Sequence, residues 1–188
     1  GPSLTYHDLR HVYDLKPAHV AVVTVNDAYR HFPHAQYRFA ADGSWWTSRF
    51  DACDRTKYGG SCFTLEYGGP SHVPKLDYYQ GAEVLSDDPC ILATGGHGGY
   101  AAINLAYLLG AKTIVLLGYD MQPHPTCGDH HFQGDEPGQR HPRYHLWIPR
   151  YKPLRQALEA RGVFLVNASR HTAIPLDAVP RAIIDDIL

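Results

Sequence analysis

At 188 residues the chain is sized for one domain, and its 44% hydrophobic and 19% charged composition is that of a globular protein, which excludes a disordered chain. The formal net charge of -2, with histidine neutral, excludes broad nucleic-acid binding through a basic surface and leaves room only for a local basic patch. No apolar run approaches the roughly 20 residues of a membrane helix, and no secretory signal is visible, so the expected location is the cytoplasm.

Residues 18–25 (AHVAVVTV) are rich in β-branched side chains and read as a strand buried on both faces. Residues 26–30 follow as a turn and helix start. A second short strand is expected over residues 37–41 (YRFAA), ending at Asp42-Gly43. Residues 43–90 read as irregular, broken at Gly59-Gly60, Gly68-Gly69-Pro70 and Asp87-Asp88-Pro89, with short strands over 61–67 and 83–85. Residues 91–94 then lead into Gly95-Gly96-His97-Gly98-Gly99, residues 100–109 form a helix, and Gly110 stops it. Residues 113–118 (TIVLLG) form a fully apolar strand ending at Tyr119-Asp120. A polar loop rich in His, Pro and Gly covers residues 121–143. A helix over 149–161 stopped by Gly162, a strand over 163–167 and a final helix from about Leu176 or Pro180 complete the chain.

Strand–helix–strand alternation with short connections implies parallel pairing and right-handed crossovers. The expected fold class is therefore α/β: a Rossmann-like parallel sheet with helices on both faces, in a single nucleotide-binding domain spanning 1–188, with a lid-like loop over about 121–147. Ligands in such sheets bind at the carboxyl ends of the strands. That rule selects Asn26, Asp42, Gly95, Gly96, His97, Gly98, Gly99, Asp120 and Asn167.

The glycines of the 95–99 loop let backbone N–H groups approach a phosphate or ribose, and the following helix N-terminus adds partial positive charge. The spacing is neither GxGxxG nor a Walker loop, so a tight turn without ligand stays open. Asp120 would hold a metal or a ribose, or cap the next turn. Asn26 and Asp42 would hydrogen-bond a base or sugar, or simply form turns. The 124–145 segment carries His124, Cys127, Asp129, His130, His131, His141 and His145. It reads as a zinc site, as a mobile loop whose histidines meet phosphate and act as acid or base, or as a polar surface loop; its spacing matches no standard zinc motif. Cys53, Cys62, Cys90 and Cys127 are scattered without a CxxC pair and read as plain thiols.

Taken in order, Gly1-Pro2-Ser3-Leu4, VVTVNDAY (22–29), AADGSWW (40–46), GGHGGYAAINLAYLLGAKTIVLLGYDMQ (95–122) and HHFQGD (130–135) give the chain a familiar outline. The chain resembles, over nearly its whole length, a family of phage and prophage proteins of unassigned role. That family is related to the archaeal hydroxymethylpterin pyrophosphokinases and, more distantly, to the bacterial lipooligosaccharide sialyltransferases. The sialyltransferase resemblance implies that Gly1, Pro2, Ser3, Asn26, Asp42, Gly98 and Gly99 grip the nucleotide, that Asp120, Gln122 and His130 approach its phosphate, and that His145 is the general base, with His141 close by. Gly98 stands where those enzymes carry serine, and Gln122 and His130 where they carry phosphate-binding tyrosines, so base or sugar selectivity is expected to differ and sialyl transfer itself is put in question. The chain also begins inside the first nucleotide loop: the strand that should precede it is expected to be missing, or Gly1-Pro2 to be a protease remnant.

The function expected is a nucleotide-dependent transferase, most like a glycosyltransferase, with a nucleotide-sugar donor and no tightly bound cofactor or metal residues. The alternatives are an ATP- and Mg²⁺-dependent pyrophosphokinase-like enzyme, with Asp120 and Asp42 or Asp129 on the metal, and a non-catalytic phage nucleotide-binding protein. The partners expected are a small-molecule nucleotide substrate and a carbohydrate or modified DNA base as acceptor, with no membrane; self-association into a homo-oligomer is also entertained. Arg140, Arg143, Arg150, Lys152 and Arg155 would form a basic acceptor groove or a solvated helix face.

Overall fold

The computed structural model describes residues 4–5, 8, 10, 12, 14, 19–48, 60–65, 73–79, 83–123 and 142–187. It is a mixed helix-and-strand protein in which every strand pair is parallel, in small sheets. Two compact units divide it: Lys16–Leu109, and Gly1–Leu15 with Gly110–Leu188. Among the described residues no helix is long and apolar enough to cross a membrane.

The Lys16–Leu109 unit runs β1 (Val23–Val25), a 3-10 turn (Asn26–Arg30), β2 (Tyr37–Phe39), α1 (Gly43–Ser48), β3 (Ser61–Phe63), β4 (Asp77–Tyr79), β5 (Ile91–Ala93) and α2 (Gly98–Leu108). β2 lies between β1 and β3, with Val25 opposite Phe39 and Phe39 opposite Phe63. β4 pairs with β5, and a single parallel bridge, Thr64 to Lys75, leads from the end of β3 to the residues before β4. α2 packs against β1 and β5. Its small inner residues Ala101 and Ala102, with Leu105, close on Phe39, Leu65 and Leu92, flanked by Val23 and Val25.

Asn104 fixes the position of α2. Buried completely, its Oδ1 accepts from the backbone N–H of Ser86 (2.9 Å) and Ala93 (2.8 Å), and its Nδ2 donates to the Ser86 carbonyl (3.0 Å). A second cluster joins Tyr29, Ala40, Trp45, Trp46 and Val73. Edge-to-face ring pairs build it, Tyr29–Trp45 at 5.7 Å and Trp45–Trp46 at 5.0 Å, and the buried Arg38 guanidinium lies 3.9 Å from the Tyr29 ring centre.

The second unit holds β6 (Thr113–Leu116), α3 (Tyr144–Trp147), a 3-10 turn (Ile148–Arg150), α4 (Tyr151–Glu159) and β7 (Phe164–Asn167), with a last 3-10 turn at Ile184–Asp186. β6 and β7 pair in parallel, and α4 lies against β7 with Tyr151, Leu154 and Leu158 buried, the spacing of one helix face. Gly110 (φ +93°) and Gly162 (φ +73°) end α2 and α4 in the left-handed conformation, as their positions in the sequence imply.

Several expected elements differ. The strand expected over 18–25 is paired only over Val23–Val25, and the one over 37–41 only over Tyr37–Phe39. Residues 83–85 form no strand; the Val84 carbonyl accepts instead from the Tyr100 hydroxyl at 2.7 Å, so a helix side chain takes the place of a neighbouring strand. α1 and β4 lie in the stretch read as irregular. The helix before β7 begins at Tyr144 rather than Pro149, because Pro149 sits in the first turn of a 3-10 segment, where a missing N–H costs nothing. No helix starts at Leu176 or Pro180. Pro175 instead caps a turn, accepting from Ala178 and Val179, and residues 180–182 run beside the end of β7.

Candidate functional site

In the Lys16–Leu109 unit the sequence-selected residues follow the carboxyl ends of β1, β2 and β5. After β5 the chain turns sharply: Thr94 Oγ1 accepts from Gly96 N–H (3.3 Å), and the Thr94 carbonyl accepts from His97 N–H (3.0 Å). The turn needs left-handed backbone at Gly95 (φ +52°) and Gly96 (φ +88°), which glycine adopts without a Cβ penalty. A Cβ on Gly95 would lie 2.7 Å from Cε2 of the Tyr100 ring and nearer still to its Cδ2. That ring cannot retreat, since its hydroxyl is tied to Val84.

His97 is the N-cap of α2: its backbone is extended and its Nδ1 accepts from Tyr100 N–H at 3.3 Å. The cap requires an unprotonated Nδ1, so the neutral ring carries its proton on Nε2. Gly98 and Gly99 are the first helical residues. A Cβ at Gly98 would make only ordinary contact, 3.8 Å from Ala41 Cβ and 3.9 Å from Phe39 Cε1, which sets the start of α2 over the end of β2. Asp42 follows there, exposed, its carbonyl accepting from Trp45 N–H as α1 begins. Asn26 follows β1 in the left-handed conformation (φ +50°), which asparagine tolerates. It is half-buried, and its side-chain amide makes no hydrogen bond among the described residues.

Asp120, Gln122 and His145 belong to the other unit. Asp120 is buried after β6 in a loop with left-handed Gly118 and Met121. The loop after β7 holds it rigidly. Ala173 N–H donates to the Asp120 carbonyl (2.7 Å), Thr172 Oγ1 to the Tyr119 carbonyl (2.6 Å), and Tyr119 N–H to Ser169 Oγ (2.8 Å). Asn167, selected by the strand-end rule, is spent on this frame: its Oδ1 accepts from Ser169 N–H and its Nδ2 donates to Thr172 Oγ1. Burial pushes the Tyr119 phenol well above its ordinary range. Gln122 is half-buried, and His145 is exposed in the first turn of α3.

The same post-β7 loop also holds the N-terminal segment. Arg170 grips the Asp8 carboxylate at 2.8 to 3.0 Å through Nε and a terminal nitrogen. Asp8 in turn forms a capping box with Thr5, accepting from Thr5 N–H (2.8 Å) while donating its own N–H to Thr5 Oγ1 (3.3 Å). Burial alone would raise the Asp8 carboxyl, but the Arg170 and Thr5 bonds hold it below its ordinary value. Sequence reasoning missed this frame. The Thr5-x-x-Asp8 spacing was a readable cap signal, whereas Arg170 lies 162 residues from its partner and carried none.

Among family models, curated proteins and solved structures, none matches this chain.

Gly1, Pro2, Ser3 and His130 lie outside the described residues, as do residues 124–141 of the expected lid. Among the described residues no group of three His, Cys, Asp or Glu side chains is placed to hold a metal. Cys62 and Cys90 are free thiols; burial raises the Cys62 thiol, against the pull of the neighbouring Arg38 charge. Chemically, the 95–99 turn presents the N-terminus of an 11-residue helix, built on backbone that only glycine fits at Gly95. Such an end attracts an anion.

Proposed function

We propose that this chain is a nucleotide-dependent transferase, most like a glycosyltransferase, built as a single Rossmann-like α/β domain and using a nucleotide-sugar donor. One observation carries the reading. The glycine turn opens the N-terminus of α2 at the end of β5, with the end of β2 directly beneath Gly98. A donor's phosphate would be bound there by backbone N–H groups, with Asn26 and Asp42 beside it for the ribose or base. The general base that such a transfer needs is, by the resemblance, His145, a solvent-exposed imidazole at the start of α3 in the other unit.

Thermal-shift and calorimetric titration with cytidine and other nucleotides and their sugar conjugates tests this. Binding in the range of about 1 µM to 1 mM, typical of enzyme substrates, is expected. No response to any nucleotide would overturn it. Transfer is expected to survive EDTA, whereas a pyrophosphokinase-like reaction would stop.

A further inference from the structure

We infer that the α3 segment carries a binding surface for single-stranded nucleic acid, formed by Arg143, Trp147 and Arg150. Five cations were candidates for a basic groove, and the structure separates them. Lys152 is neutralised by Asp177 (2.7 Å), and Arg155 by Glu159 (2.7 Å), with Arg155 also bonded to the Ala178 carbonyl. Arg140 lies outside the described residues. Arg143 and Arg150 are exposed and form no ion pair among the described residues.

These two arginines flank an indole on one helical stripe. Trp147 N–H bonds to the Arg143 carbonyl at 3.2 Å, one α-helical turn. From Trp147 the chain continues into the 3-10 turn Ile148–Arg150, in which residues three apart eclipse one another. Arg143 and Arg150 therefore lie on the Trp147 side, about 6 Å along the axis before and after it. The half-buried Trp147 ring is braced edge-to-face by Tyr144, with centroids 5.8 Å apart, and Leu146 and His145 beside it are exposed.

Cation, planar ring, cation is the order in which a single strand presents phosphate, base and phosphate. Stacking on an aromatic ring is tolerant of base identity, and arginine pairs with phosphate. Binding at this surface stands apart from the donor reading. That the strand is the transferase's acceptor rests on it, with His145 adjoining the stripe.

The probe is a short fluorescently silent oligodeoxythymidylate, titrated against the full chain at several salt concentrations. Two phosphate contacts predict a slope of log K against log salt of about -1.4, falling to about -0.7 in Arg143→Ala or Arg150→Ala. Trp45 and Trp46 are buried, so quenching of tryptophan emission on binding should vanish in Trp147→Phe. The two exposed arginine variants keep the test valid if Trp147→Phe fails to fold. Equal slopes in wild type and variants would overturn the inference. So would quenching that survives Trp147→Phe, or equally tight binding of an acidic polysaccharide without stackable bases. Nucleotide-donor affinity measured on the same variants should stay unchanged. Its absence, with oligonucleotide binding intact, would sink the proposed function and leave this surface standing.

Discussion

A methyl group on Gly95 would have to displace a tyrosine ring that is itself anchored by a hydroxyl bond, and the backbone there is already left-handed. Gly95→Ala is therefore expected to lower stability by about 2 kcal/mol or more, from αL strain of roughly 1–3 kcal/mol plus overpacking. Gly98→Ser, by contrast, should fold normally, because its Cβ would meet only ordinary contacts. Chemical denaturation of the two variants checks the contrast; equal losses would contradict it. The Asp8 carboxyl gives a pH test. Its folded value lies below the ordinary 3.8, so its stabilisation is complete well above pH 3.8 and is lost as pH falls through the lower folded value. Asp8→Asn should remove that part of the acid limb, leaving a shallower dependence below about pH 5; an unchanged acid limb would show that the Arg170 pair does not couple to folding.

At the scale of elements, α2 and its flanking turns were legible, because an apolar stretch bracketed by glycines leaves few other conformations. β6 and β7 were legible from apolar runs. β3 falls inside the strand expected over 61–67, whereas β4 was not legible, since nothing local distinguishes Asp77–Tyr79 from loop until β5 pairs with it. α1, with sequence GSWWTS, is held by Tyr29 and the Trp46 bond to the Ala40 carbonyl (3.2 Å), both distant in kind from helix propensity. The final helix expected from Leu176 or Pro180 is absent because the Pro175 carbonyl closes a turn over Ala178 and Val179, and the Pro180 carbonyl accepts from Asn167 N–H. Two residues test how these elements are joined. Asn104→Ala should cost about 1–3 kcal/mol by leaving buried N–H groups of Ser86 and Ala93 unpaired. Thr172→Val should cost a similar amount, about 1–3 kcal/mol, by orphaning the Tyr119 carbonyl and Asn167 amide. Urea midpoints of both variants, with unchanged slopes, are the measurement; a loss below about 0.5 kcal/mol in either would mean the bond is replaced by water.

For the molecule as a whole, the glycine turn was legible as a tight turn opening a helix, because its chemistry is local. The post-β7 frame that ties Asp120 and the N-terminal helix start to one loop was not, because Arg170, Ser169 and Thr172 gain meaning only from tertiary partners. His145→Ala is expected to leave nucleotide affinity within about twofold while reducing transfer by the roughly 10²–10⁴-fold typical of a lost general base. Affinity and turnover that fall together would instead make His145 a binding residue. The central claim, that the rim formed by Asn26, Asp42 and the 95–99 turn receives a nucleotide's phosphate, is tested most directly by amide hydrogen exchange with and without saturating nucleotide. Peptides spanning residues 95–99 and 26–30 should slow together. Exchange at both that ignores every nucleotide, or slowing confined to segments away from this rim, would contradict the account.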